Sequence, residues 1–134
     1  MTNTIAASAL RSFIETAKLD HLVFKFEIYK VFLGITQKRP EDFASHTSCR
    51  LGKWYYQGEG RGCFSKLPGY KEVEPAHIHF HEHGDEAVRL FHDGDVAAGL
   101  DQAMEMEHAS LVVLQELERM AAAGHADPSV LCMS

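Results

Sequence analysis

The sequence predicts an all-α protein, an antiparallel four-helix bundle with an additional short helix carrying Cys49. Three observations support this: apolar residues recur at steps of three and four near both ends of the chain, Gly and Pro gather in a few connections, and no segment makes a convincing strand, the alternating HIHFHEH at 77–83 being followed by a helix-compatible run. The 134 residues suit one domain with its own core, ordered over about 4–123 and followed by a loose tail at 124–134.

The first helix is expected from Thr4 to Ile35. Leu10, Ile14, Ala17, His21, Phe24, Ile28, Val31 and Ile35 form its seam, Thr2 or Asn3 can cap its start, and Gly34 lies where it should end, before the polar loop TQKRPED. A short helix is expected over Ser45–Gln57, capped by Ser45, Thr47 or Ser48 and stopped by GEGRG. GRGCFSKLPGYKEVEP reads as a connection with a turn at LPGY, and Pro75 suits the first turn of the next helix, which should run to His92. DGD at 93–95 then breaks the chain. Asp95 can cap a last helix from Val96 to about Ala123, whose stripe of Leu100, Met104, Leu111 and Leu114, flanked by Met106, Val113, Leu117 and Met120, suits a bundle core.

Composition excludes several functions. The 13 Lys+Arg stand against 19 Asp+Glu, a formal charge of −6, and the basic residues are scattered, so nucleic acid is not an expected partner. No apolar run is long enough to span a membrane, and MTNTIAASALRSF lacks the form of a secretory signal, so a cytoplasmic location is expected with no membrane partner. Cys49, Cys63 and Cys132 are then expected to be thiols or metal ligands rather than a disulfide framework.

The segment PAHIHFHEHGDE carries histidines at 77, 79, 81 and 83. On a helix they split into two pairs. His77 and His81 share a face with Gly84, Val88 and Phe91, which is the apolar face, whereas His79 and His83 share one with Glu86, Leu90 and Asp93 and should meet water. With His21 in the seam of the first helix, three imidazoles are expected inside. Each can find a carbonyl or carboxylate across the core, or one metal ion can satisfy all three. Zinc prefers four tetrahedral nitrogen or sulfur ligands, and Cys49, near the start of the short helix where the helix dipole and a bound cation would both favour thiolate, is the best candidate for the fourth.

H-L-V-F at 21–24, C-R-L-G-K-W at 49–54 and H-I-H-F-H at 77–81, in this order and spacing, resemble the motifs of the chemoreceptor zinc-binding domain, over about Thr16 to Leu117. The resemblance implies that His21, Cys49, His77 and His81 bind one Zn2+ per chain inside a four-helix bundle. Gly52 would allow close helix approach, and Trp54 would belong to the core. It also implies a sensory or regulatory module of bacterial chemotaxis or cyclic-di-GMP signalling, commonly a homodimer, that answers zinc or oxidants such as hypochlorous acid through Cys49 as the redox switch. Family members usually carry a signalling coiled coil or a cyclase domain, and these 134 residues hold neither. Action in trans on a chemoreceptor or diguanylate cyclase, zinc buffering, or membership of a longer protein is therefore expected.

No enzymatic activity is expected. A zinc hydrolase would need an open coordination position and a carboxylate base; Glu82 follows His81, yet points about 100° away from it on a helix, and no His-Glu-x-x-His motif is present. A di-iron bundle would need inward Glu-x2-His pairs, and Glu105-x2-His108 lies near the polar edge of the last helix. A structural zinc domain or protein-interaction module is the remaining alternative. Asp20, beside His21, reads as an exposed helix charge or as a residue that orients its neighbour.

Overall fold

The computed structural model describes residues 2–127, with side chains from Ile5 onward. Among these residues there are four α-helices and no strand: α1 (Thr2–Phe32), α2 (Arg50–Tyr56), α3 (Tyr70–His92) and α4 (Val96–Ala126). The protein is an all-α helical bundle in which three members are long and α2 is the short helix that Cys49 caps. The expected caps Thr2 and Asn3 fall on side chains outside those described.

The seam of α1 is buried from Leu10 to Val31 apart from a half-buried Phe24, with Leu10, Ile14, Ala17 and Ile28 at 1% exposure or less. The helix ends at Phe32 rather than Ile35. Gly34 turns to φ 76°, its N–H bonds Val31 O at 3.1 Å and the Ile35 N–H bonds Lys30 O at 2.9 Å, which leaves Ile35 67% exposed past the end. Short α2 is capped four residues later than the earliest expected cap, Ser45. The Ser45 hydroxyl accepts from the Thr47 and Ser48 N–H groups at 3.3 and 3.2 Å and holds them in a turn, so Cys49 becomes the cap.

Helix α3 begins five residues before Pro75, which lies inside it. Gly69, at φ 97°, opens the helix and its N–H donates to the Glu72 carboxylate at 3.1 Å. Tyr55 and Tyr70 stack at 4.1 Å and each hydroxyl donates to the other's carbonyl, at 2.7 and 2.6 Å, which fixes the first turn against α2. Pro75 is exposed, so the carbonyl one turn earlier that it cannot pair faces water. Gly94, at φ 82°, reverses the chain, and Asp95 caps α4 by accepting from the Ala98 N–H at 3.3 Å.

The stripe expected on α4 is corrected in its centre, while its flanking Met106, Val113, Leu117 and Met120 are buried as expected. Ala103, Met106, Ser110, Val113, Leu117 and Met120 face the core, whereas Leu100, Met104 and Leu111 are 40%, 59% and 58% exposed. Helix α4 also runs through Gly124, which is buried, to Ala126, so the loose tail expected from 124 is corrected there; 128–134, with Cys132, lie outside the described residues. Cys63 is disulfide-bonded, against the expectation of a thiol. No described helix is long and apolar enough to cross a membrane.

Candidate metal centre

The buried face of α1 carries His21 into the core at 4% exposure, and the apolar face of α3 carries His77 and His81 in at 3% each. His79 is exposed and His83 is half-buried, so periodicity separates the two pairs as expected. Cys49 reaches the same point from the N-cap of α2. Gly52 makes that possible by a different contact from the helix–helix one expected: a Cβ there would lie 1.9 Å from the His46 carbonyl oxygen, so the turn over residues 46–47 folds directly onto the helix backbone. Trp54 is core, stacked on Phe13 at 4.5 Å.

The structure brings His21, Cys49, His77 and His81 together, with one ligand atom from each lying within 4.8 Å of all the others. Cys49 Sγ is 3.3 Å from His77 Nε2 and accepts from the Gly52 N–H at 3.4 Å. His81 donates from Nδ1 to the Ala44 carbonyl at 2.9 Å, which fixes the tautomer that leaves a lone pair on Nε2. That Nε2, like His21 Nδ1, is buried with no hydrogen-bond partner. Phe80 packs edge-on against His21 at 4.8 Å and Phe24 against His81 at 4.7 Å, which keeps the interior side apolar.

Burial holds all three imidazoles neutral, pushing His21 down to about 3, His77 to about 2 and His81 to about 4; His21 and His77 also feel the neighbouring histidines. Burial likewise pushes the Cys49 thiol up, and the backbone N–H groups of Gly52 and Leu51 only partly offset it. The helix start favours thiolate, as expected, but desolvation outweighs it. A cation would reverse that balance.

The donor set fits zinc. Bonds of about 2.0–2.3 Å in a tetrahedron place ligand atoms about 3.4–3.6 Å apart. The Cys49–His77 pair is already at that spacing, and the widest separation allowed by the 4.8 Å limit closes by small side-chain rotations. Two buried nitrogens without partners are costly, and an ion between them would remove the cost. No other described group of three or more His, Cys, Asp or Glu is gathered as tightly.

A cavity of about 300 Å³ opens beside the cluster, lined in part by Cys49, His21, His81, Asp20 and Arg50. Asp20 is half-buried and pairs with Arg50, Nε to Oδ2 at 3.1 Å, which ties the start of α2 to α1. Sequence reasoning missed this pair, the Ala44 carbonyl, and His46, whose ring lies 6.2 Å from that of His77. Only the adjacency of Arg50 to Cys49 could have signalled the first of these. Glu82 is exposed, and Glu105 and His108 face solvent at 56% and 64% side-chain exposure, as their helical positions suggested.

The family model of the chemoreceptor zinc-binding domain matches residues 21–88, half of the chain, and spans all four clustered residues. No curated protein and no solved structure matches the chain.

Proposed function

The chain belongs to the chemoreceptor zinc-binding domain family, and on that premise we propose that it is a sensory module of bacterial signalling in which His21, Cys49, His77 and His81 hold one Zn2+. The observation that supports this most directly is the pair of buried, unpartnered nitrogens, His21 Nδ1 and His81 Nε2, in the same cluster as the Cys49 sulfur. Bound there, Zn2+ supplies a cross-link among α1, α2 and α3.

Cys49 is the switch in this reading, because its sulfur is the oxidisable ligand and the cavity beside it gives small molecules a path to the site. Hypochlorous acid converts the thiolate to a sulfenic acid, the oxygen going to sulfur and chloride leaving, and the product is a poorer ligand. Losing that bond frees the cap of a helix seven residues long. Trp54 on Phe13 and Tyr55 on Tyr70 then pass the movement of α2 to α1 and α3.

The output acts on a chemoreceptor or diguanylate cyclase in the cytoplasm. A homodimer forms through the apolar residues left outside the core: Leu19, Leu22, Phe26 and Leu33 on α1 are 62%, 42%, 58% and 64% exposed, at helical spacing. The test is a hypochlorous acid titration that follows zinc release and helix packing, comparing wild type with Cys49→Ala. Wild type should release zinc and loosen α2 at lower oxidant; indistinguishable responses rule out the cysteine switch. A structural zinc role is the second reading, favoured by the depth of the three imidazoles. Chelation that unfolds the bundle, with no oxidant-dependent release, selects it.

A further inference from the structure

We infer that the chain carries a second, exposed site for a divalent transition-metal ion, in the groove between α3 and α4, formed by His79, His83 and His108 with Glu105. The groove encloses about 360 Å³ and all four residues line it. None belongs to the buried cluster, and the inference stands apart from the reading of that cluster.

His79 and His83 lie one turn apart on the outward face of α3, with ring centroids 6.1 Å apart. Two imidazoles on one tetrahedral ion at about 2.0–2.1 Å per bond have centroids about 5.2 Å apart, so the pair closes on an ion with a shift of about 1 Å. Across the groove, Glu105 and His108 lie one turn apart on α4, with Oε1 and Nδ1 4.0 Å apart. His83 is the anchor. Its Nδ1 donates to Gln102 Oε1 at 2.7 Å, so the ring is held and the Nε2 lone pair is left for a ligand. The same device orients His81 through the Ala44 carbonyl in the buried cluster.

Imidazoles with one carboxylate suit Zn2+, Ni2+ or Cu2+ rather than the hard cations Mg2+ and Ca2+. Glu72 also lines the groove, and the net charge of −6 draws cations toward the surface. The exposed side chains must rotate to assemble, whereas the buried quartet is already gathered. The outer site is therefore the weaker of the two and fills at higher metal supply.

The experiment uses the full chain, given one equivalent of Zn2+ and then titrated with more, by calorimetry and by nitrogen NMR of the histidine rings. The expected result is a second, weaker binding event that shifts the ring signals of His79, His83 and His108. Replacing His79→Ala and His108→Ala together should weaken that event about tenfold or more and leave the first unchanged. Both residues are solvent-facing, so the fold is retained, which helical circular dichroism checks. Absence of a second event overturns the inference, as does one undiminished in the double variant or one that appears only as ions bridge two chains. Failure of the buried site would show separately, as loss of a first event sensitive to Cys49→Ala.

Discussion

Acidifying the metal-free protein from pH 7 to pH 5 should lower its stability by about 4 kcal/mol. His21, His77 and His81 are held at about 3, 2 and 4 in the fold against an ordinary value of 6.5. Because the folded values are depressed, the unfolded chain binds more protons below pH 6.5, so the stability is fully present above that pH and is lost as pH falls toward the folded values. Each imidazole contributes a loss of about 2 kcal/mol over this window, and the three together about 5–6 kcal/mol. Asp85 acts in the opposite sense. Burial raises its carboxyl from 3.8 to about 6, so it takes up its proton in the fold first and returns about 1 kcal/mol over the same range. The remaining fall of about 4 kcal/mol compares with a total of about 5–15 kcal/mol for a typical domain. Urea unfolding with a chelator present, followed by circular dichroism at several pH values, measures it. A fall below about 1.5 kcal/mol, equivalent to fewer than one proton per pH unit near pH 5, would refute three neutral imidazoles in the interior.

Gly52→Ala puts a methyl 1.9 Å from the His46 carbonyl, so the turn must move and carry Cys49 with it. A loss of about 3 kcal/mol in thermal stability and about tenfold weaker zinc binding in a chelator competition are expected, and full affinity would disprove that the turn positions the sulfur. Asp20→Asn removes the ion pair to Arg50, both partners partly in water, so stability should change by less than about 1 kcal/mol. Chelator-driven zinc release should nonetheless be faster, because the pair ties the start of α2 to α1; an unchanged rate counts against that tie. Phe26→Glu charges a residue that is 58% exposed and should weaken self-association about tenfold or more by sedimentation, with helical content retained.

The seam of α1 was legible because it repeats at steps of three and four over several turns, and the inward face of α3 because its other side is polar. That regularity separated His77 and His81 from His79 and His83. On α4 the same reasoning placed Met106, Val113, Leu117 and Met120 correctly but centred the stripe on Leu100, Met104 and Leu111, which are exposed. Apolar side chains surround much of that helix, so periodicity alone does not say which of Leu100 or Ala103, Leu111 or Val113, turns inward. Close packing against α3 selects the smaller set, with Gly99, Ala103 and Ser110 buried. The starts of α2 and α3 were misplaced for a different reason. One depends on hydroxyl bonds within Ser45–Ser48, the other on a tyrosine pair fifteen residues apart, and neither leaves a periodic trace. The four residues that cluster were readable, but the contacts that orient them come from distant backbone, such as Ala44 on His81.

The proposed switch also has an electrostatic prediction, because one sulfur stands among three nitrogens. Without an ion, burial works against every charge: the imidazoles are pushed down, the thiol is pushed up, and the interior holds four neutral groups. A dication changes only the thiol, whose proton it displaces, so the occupied cluster carries a net charge of +1 rather than +2. The thiolate is thus the only member of the proposed ligand set that neutralises part of the ion's charge. Its conversion to a neutral sulfenic acid restores a full +2 in an apolar interior faced by Phe24 and Phe80, where an uncompensated charge is most costly. Loss of a histidine ligand leaves the charge unchanged and removes only a bond. Oxidation at Cys49 is therefore expected to release the ion more readily than replacement of any one histidine, and ranking zinc retention in His21→Ala, His77→Ala and His81→Ala against the oxidised wild type tests that order.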